Sequence, residues 1–178
     1  MSHDVGRLAL VGGVAAIVTL VAVPLARWLA CRWGMVVQPS ERRIHERPTP
    51  TLGGLAMFAG VAAAFGVIVV FPGFEPIRAS PSNLIGVATA AALMFAVGLI
   101  DDIREVSAPA KLAGTVLAGS VLALAGVSIL NVPLPFVGFT VLSPDLAALA
   151  TVMWVVVMAN AVNLIDGLDG LAAGIVAI

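Results

Sequence analysis

Five long stretches of this chain carry no charged side chain, and they limit its fold more than any single motif does. They are Leu8–Ala26, Pro48–Phe74, Ala79–Ile100, Leu112–Pro144 and Leu146–Ile165. As helices rising about 1.5 Å per residue, each can cross a hydrocarbon core of about 30 Å. The composition agrees: 61% of residues are hydrophobic and 11% charged, against roughly 25% charged in a soluble domain. The expected fold is all-α, a polytopic transmembrane bundle of five complete helices and the start of a sixth. Leu8–Ala26 has 19 residues and exceeds a signal-peptide core of about 7–15, so it reads as a retained first helix.

The fourth stretch is too long for one helix. Its tail, NVPLPFVGFTVLSPD, holds three prolines and two short β-rich pieces, which points to an interfacial loop or hairpin. The last apolar run, Leu171–Ile178, is short of the roughly 20 residues a span needs. The expectation is a chain cut mid-helix, residues 1–178 being the N-terminal part of a single integral-membrane domain truncated at its C-terminus.

Loop parity gives sidedness. The loops after helices one, three and five share one side and hold Arg27, Arg32, Arg42, Arg43, Arg47, Arg104 and Lys111, seven of nine basic residues. Arg7 and Arg78 fall on the other. The positive-inside rule places the odd loops in the cytoplasm, and Asp101, Asp102, Asp166 and Asp169 fall on that same side. One cysteine, Cys31, excludes an intrachain disulfide and a thiolate-built zinc site. Two histidines, His3 and His45, exclude a multi-histidine site within the chain. Walker, HExxH and GxSxG patterns are absent, and basic residues without interleaved aromatics give no support to nucleic-acid binding.

Three polar segments stand out. In GLIDDIREVSAPAKL, Asp101 and Asp102 are adjacent carboxylates that repel unless a cation neutralises them. Arg104, Lys111 or a divalent metal could do so, and Mg²⁺ favours one or two carboxylates together with substrate phosphates. An ordinary charged interfacial loop is the plain alternative. In NAVNLIDGLDG, a helix would align Asn160, Asn163, Asp166 and Asp169 in one drifting stripe. Helix packing would explain the glycines and Asn160, but two intramembrane aspartates call for a partner or water. In RRIHERPTPTLGG, Arg42, Arg43, His45 and Arg47 form a basic segment that anionic headgroups alone could account for.

Together and in order, RRIHERPTPTLGG, DDIREVSAPAK and NAVNLIDGLDGLAAG resemble the polyprenyl-phosphate N-acetylhexosamine-1-phosphate transferases, glycosyltransferase family 4. The likeness is to the N-terminal half and favours the undecaprenyl-phosphate N-acetylglucosamine-1-phosphate transferase branch. It implies transfer of N-acetylglucosamine-1-phosphate from UDP-N-acetylglucosamine to undecaprenyl or decaprenyl phosphate with release of UMP, as a first membrane step of cell-envelope polysaccharide synthesis. It implies Mg²⁺, with Mn²⁺ as the substitute. The resemblance assigns Asp101, Asp102 and Lys111 to catalysis, and Asn163, Asp166 and Asp102 to the metal. Asp169, Gly170 and Asn160 fall to the nucleotide, and Arg43 and His45 to phosphate or lipid. It further implies a multi-pass protein of the inner (plasma) membrane with its site facing the cytoplasm, able to form a homodimer. Family members carry a further metal-binding aspartate and a cytoplasmic loop in their second half, so this segment alone is expected to be inactive. The alternatives are the phospho-N-acetylmuramoyl-pentapeptide transferase branch and, in another class, a cation transporter element.

Overall fold

A computed structural model describes residues 2–34, 36–37, 49–50, 52–104, 106–134, 138–165 and 175. The element order is α1 Ser2–Arg32, β1 Val36–Val37, β2 Thr49–Pro50, α2 Gly53–Val70, α3 Glu75–Arg78, α4 Pro81–Ile103, α5 Ala108–Leu124, β3 Asn131–Leu134, β4 Gly138–Val141 and α6 Pro144–Ile165. Among the described residues, α1, α2, α4 and α6 are long and apolar enough to cross a membrane, and α5 adds a shorter apolar helix of 17 residues. The polytopic helical bundle read from the sequence is what forms. The start of the sixth helix lies outside the described residues, save for Ile175, which is helical.

The distribution of side chains by size is that of a membrane protein. Among the described residues, alanines together with Val67, Leu52 and Phe74 make up the buried apolar set, and Leu52 is the largest fully buried side chain. Leu8, Ile17, Leu20, Trp28, Leu117, Leu149 and Trp154 point outward. In water that inversion would expose a very large apolar surface. In lipid, where apolar bulk gains nothing from burial, small residues let helices approach and large ones face the acyl chains.

The chain divides into two compact units, Met1–Pro81 with Phe95–Val106, and Ser82–Met94 with Ser107–Ile178. In the first unit, α1 and α2 are antiparallel neighbours, since Gly60 faces Ala15 and Thr19 while Gly73 faces Arg7. The buried stripe of α2 is Ala56, Gly60, Ala64 and Val67, one helical face at three- and four-residue spacing. Phe58 and Phe95 stack with centroids 4.2 Å apart. Arg78 closes the far end of α2: its Nη1 donates to the carbonyls of Ile68, Val69 and Phe71 at 3.1, 3.0 and 2.8 Å, satisfying carbonyls the helix end leaves open. Glu75 holds Arg78 at 3.2 Å and accepts the Gly73 N–H at 2.9 Å. That N–H bond, reinforced by Arg78 and Arg7, lowers the Glu75 carboxyl below its ordinary value.

In the second unit the N-terminal end of α4 meets the chain at the C-terminal end of α5, with Gly86 against Ala125 and Asn83 beside Gly126. Gly119 of α5 presses on the Val152 backbone of α6, where an added Cβ would lie 3.0 Å from Val152 Cα. The Ile129 N–H donates to Thr151 Oγ1 at 2.9 Å, and Thr151 in turn donates to the Ala147 carbonyl at 2.7 Å. The Leu142 N–H donates to the Leu130 carbonyl at 2.9 Å, so the chain enters α6 beside the point where it left α5, and the two packed helices run antiparallel. Between them β3 and β4 form the hairpin expected from the prolines, in the register Asn131↔Val141, Val132↔Thr140, Pro133↔Phe139 and Leu134↔Gly138.

Candidate functional site

Two of the three polar segments have described residues at the ends of helices. Asp101 and Asp102 fall in the last turn of α4, in the first unit. Asp101 is half-buried, and its Oδ1 accepts the Val106 N–H at 3.1 Å, pinning the connection that follows. Asp102 is exposed. The carbonyl end of a helix carries partial negative charge, so carboxylates there are disfavoured by about 0.3–1 kcal/mol each. Two adjacent ones build an electronegative point suited to a cation or a basic group.

Lys111 lies in the first turn of α5, half-buried, where the helix end is electropositive and a cation is again disfavoured. Ser107 precedes it as the N-cap without a side-chain capping bond. Thr115, one turn further on and buried, donates to the Leu112 and Lys111 carbonyls at 2.8 and 3.2 Å. The sequence drew no attention to Thr115; its signal is a hydroxyl four residues after the lysine in an otherwise apolar run.

On α6, Asn160 and Asn163 are both exposed and share a face at three-residue spacing. Asn160 Nδ2 donates to the Val156 carbonyl at 2.8 Å. That leaves its carbonyl oxygen as the outward group. The antiparallel pairing fixes the level of these residues within the second unit. Lys111 is eight residues from Gly119, and Asn160 is eight residues from Val152, which Gly119 touches. Both therefore stand about 12 Å from that crossing toward the same end, with Asn163 one further turn out. One cation and two amide side chains thus share one end of the α5–α6 pair.

Asp101 and Asp102 belong to the other unit. Residues 104–107 separate α4 from α5 along the chain. Among the described residues no group of three His, Cys, Asp or Glu side chains is placed to hold a metal. Asp166, Asp169, Gly170, Arg43 and His45 lie outside the described residues. The basic segment that holds Arg43 and His45 is bracketed by β1 and β2, whose antiparallel pairing sets Val36 opposite Pro50 and Val37 opposite Thr49.

Chemically the described groups offer oxygen donors alone from Asp101, Asp102, Asn160 and Asn163, with one ammonium. Hard oxygen donors suit Mg²⁺ or Mn²⁺ and not a thiolate metal. An ammonium beside a helix N-terminus suits a phosphate.

The chain is similar in sequence to known proteins. The chain is 44% identical over 171 residues to the decaprenyl-phosphate N-acetylglucosaminephosphotransferase of Mycolicibacterium smegmatis, covering 95% of this chain and 42% of that protein. It is 30% identical to a probable undecaprenyl-phosphate N-acetylglucosaminyl 1-phosphate transferase of Bacillus subtilis, over 91% of this chain and 43% of that one. A phospho-N-acetylmuramoyl-pentapeptide-transferase of Desulforudis audaxviator is 37% identical, over 93% of this chain and 56% of that one. The chain thus spans about two fifths of the length of the first two relatives. No solved structure matches it. The family model described as glycosyl transferase family 4 matches residues 84–178, more than half of the chain and all of both helix-end motifs, and the chain therefore belongs to glycosyl transferase family 4.

Proposed function

We propose that the full-length protein transfers N-acetylglucosamine-1-phosphate from UDP-N-acetylglucosamine to a polyprenyl phosphate. A lipid phosphate oxygen attacks the β-phosphorus of the nucleotide sugar, the bond to the α-phosphate oxygen breaks, and UMP leaves with that oxygen. The observation that carries this reading is the gathering of Lys111, Asn160 and Asn163 at one end of the α5–α6 pair. The names of the relatives support the donor and acceptor, with decaprenyl-phosphate N-acetylglucosaminephosphotransferases at 42–44% identity, the Bacillus subtilis N-acetylglucosaminyl 1-phosphate transferase at 30% and pentapeptide transferases at 32–37%.

Both substrates are anionic at the reacting atoms, so attack requires neutralisation and alignment. Lys111 would bind phosphate oxygens at the start of α5, where the helix end adds to its field. Asp102, Asn163 and Asp166 would hold Mg²⁺, or Mn²⁺ in its place. When bound, that ion supplies charge neutralisation of the phosphoryl oxygens. Asp101, tied to the Val106 N–H, would set the backbone that presents Asp102. Asn160, Asp169 and Gly170 would contact the nucleotide, and Arg43 and His45 the lipid phosphate. The site would face the cytoplasm from the plasma membrane, as the basic loops suggest.

The test is UMP release by full-length protein in detergent with UDP-N-acetylglucosamine, polyprenyl phosphate and Mg²⁺. Release that requires all three, and that is abolished in Asp102→Asn and Asp166→Asn, is the expected result. Release only with UDP-N-acetylmuramoyl-pentapeptide would move the protein to the sister branch. Cation flux through reconstituted protein with no response to any UDP-sugar would overturn the transferase reading.

A further inference from the structure

The β3–β4 hairpin turns three apolar side chains, those of Pro133, Phe139 and Val141, outward. Its register puts Asn131, Pro133, Phe139 and Val141 on one face, and Val132 and Thr140 on the other. The first set is the exposed one: Phe139 is 82% and Val141 74% accessible, while Val132 and Thr140 are half-buried. An antiparallel pair with one solvated face ordinarily alternates apolar inward and polar outward. Here the hydroxyl turns inward and the phenyl ring outward.

Depth along the helices says what medium meets that face. The apolar part of α5 after Lys111 ends at Leu124, thirteen residues on, or about 20 Å, which is short of a hydrocarbon core of about 30 Å. Thr151, which accepts the Ile129 N–H, is seven residues inside α6 from its first residue, Pro144, or about 10 Å. The chain after α5 is therefore still below the level where α6 begins when β3 departs at Asn131. A four-residue strand spans about 13 Å, so the hairpin stays within the outer layer of the membrane. No charged residue occurs from Leu112 to Pro144, and α6, which begins three residues after β4 ends, exposes Leu146, Leu149 and Met153.

We propose that the β3–β4 hairpin is a lipid-contacting element, its Phe139, Val141 and Pro133 face lying in the headgroup–acyl boundary of the leaflet opposite Lys111. Paired strands satisfy one another's backbone groups, and the water of the headgroup layer reaches the open edges, so the cost that bars irregular backbone from the hydrocarbon centre does not apply. An aromatic ring at this level is where amphipathic membrane surfaces place one. The occupant is the lipid itself and not a second protein surface, because the face lies at membrane depth, carries no charged group and leads within three residues into α6, whose Leu146, Leu149 and Met153 are exposed.

The experiment uses full-length protein with its native cysteines replaced, reconstituted in phosphatidylcholine vesicles. Nitroxide labels are placed by Phe139→Cys, Val141→Cys, Thr140→Cys and, as a hydrocarbon reference, Leu149→Cys. Collision with oxygen and with a water-soluble nickel chelate is then measured by electron paramagnetic resonance. Labels at 139 and 141 should show an oxygen-to-nickel accessibility ratio several-fold above that at 140 and approaching that at 149. Free access of the nickel chelate at 139 and 141 would place the face in water and overturn the proposal. Exclusion of both reagents there would show a protein surface covering it, and would overturn it equally. Positions 139 and 141 report independently, so loss of folding in one variant leaves the other decisive.

Discussion

Replacing Gly60 by alanine isolates how closely α1 and α2 approach. A Cβ at Gly60 would lie 2.6 Å from the Ala15 carbonyl oxygen and would also meet Thr19 Oγ1. Ordinary carbon–oxygen contacts lie near 3.3–3.6 Å, so relief requires a shift of roughly 0.7 Å or more. The threonine hydroxyl can rotate away, but the carbonyl belongs to the α1 backbone, so the helices themselves must separate. Overpacking of this kind costs about 1–3 kcal/mol. Alanine in a helix interior returns up to about 1 kcal/mol relative to glycine. Gly66 is the matched control, because it lies in the same helix and a Cβ there meets nothing within 4 Å. Gly66→Ala should therefore stabilise by up to about 1 kcal/mol, and Gly60→Ala should fall about 1–3 kcal/mol below it. Reversible denaturation of the full-length protein in mixed micelles, followed by tryptophan fluorescence, gives that difference directly. Thr19→Ala should not rescue Gly60→Ala, since the backbone clash remains. Equal stability of the two glycine variants, or rescue by Thr19→Ala, would refute the close approach.

Thr151→Val should destabilise the full-length protein by about 1–3 kcal/mol, because the Ile129 N–H loses its acceptor in a buried place; Thr151→Ser should retain most of the stability in the same denaturation assay. Lys111→Gln should lower UMP release roughly 100-fold or more if the ammonium binds reacting phosphate, with Lys111→Arg recovering part of it; a rate close to that of the parent would remove Lys111 from the site. The depressed Glu75 carboxyl stabilises the folded state above its ordinary value near 4.5, and that contribution disappears as pH falls through the lower folded value. Glu75→Gln should therefore flatten the acid limb of a melting-temperature profile below about pH 4.5, and an unchanged limb would contradict the Gly73 bond.

The sequence made the helices legible because a charge-free run long enough to span lipid leaves few other structures. The hairpin was legible because prolines and β-branched residues interrupt such a run in Leu112–Pro144. Helix ends were read less well, because apolarity marks where lipid is tolerated and not where hydrogen bonding stops. Pro48–Phe74 yields a helix only over Gly53–Val70, since Thr49–Pro50 pairs with Val36–Val37 and the Pro72–Gly73 turn closes the other end. Helix α1 runs past Ala26 to Arg32, where Arg32 sits 5.4 Å from the Trp28 ring, a pairing that suits the interfacial layer. Arg78 counted in the sequence only as a charge on one side. Its use as the cap of α2 depends on three carbonyls that no pattern announces. The same holds for Asp101, whose bond to the Val106 N–H is a property of the turn.

The helix-end charges carry the last step. Asp101 and Asp102 occupy the negative end of α4, and Lys111 the positive end of α5. Each placement costs roughly 0.3–1 kcal/mol relative to the reverse arrangement. The helix-end term by itself therefore does not account for these residues. A bound cation at the carboxylates and a bound anion at the lysine reverse the sign of each term, because each ligand then meets the charge it needs, and the lysine's anion meets the helix end it prefers as well. A ligand of matching sign therefore favours each helix end. That predicts an ordered gain in stability: Mg²⁺ and UMP added together should raise the melting temperature of the full-length protein above the parent without ligand. Asp102→Asn should abolish that rise. An undiminished rise in Asp102→Asn would mean that this carboxylate does not hold the cation, and the reading of the helix ends would fail.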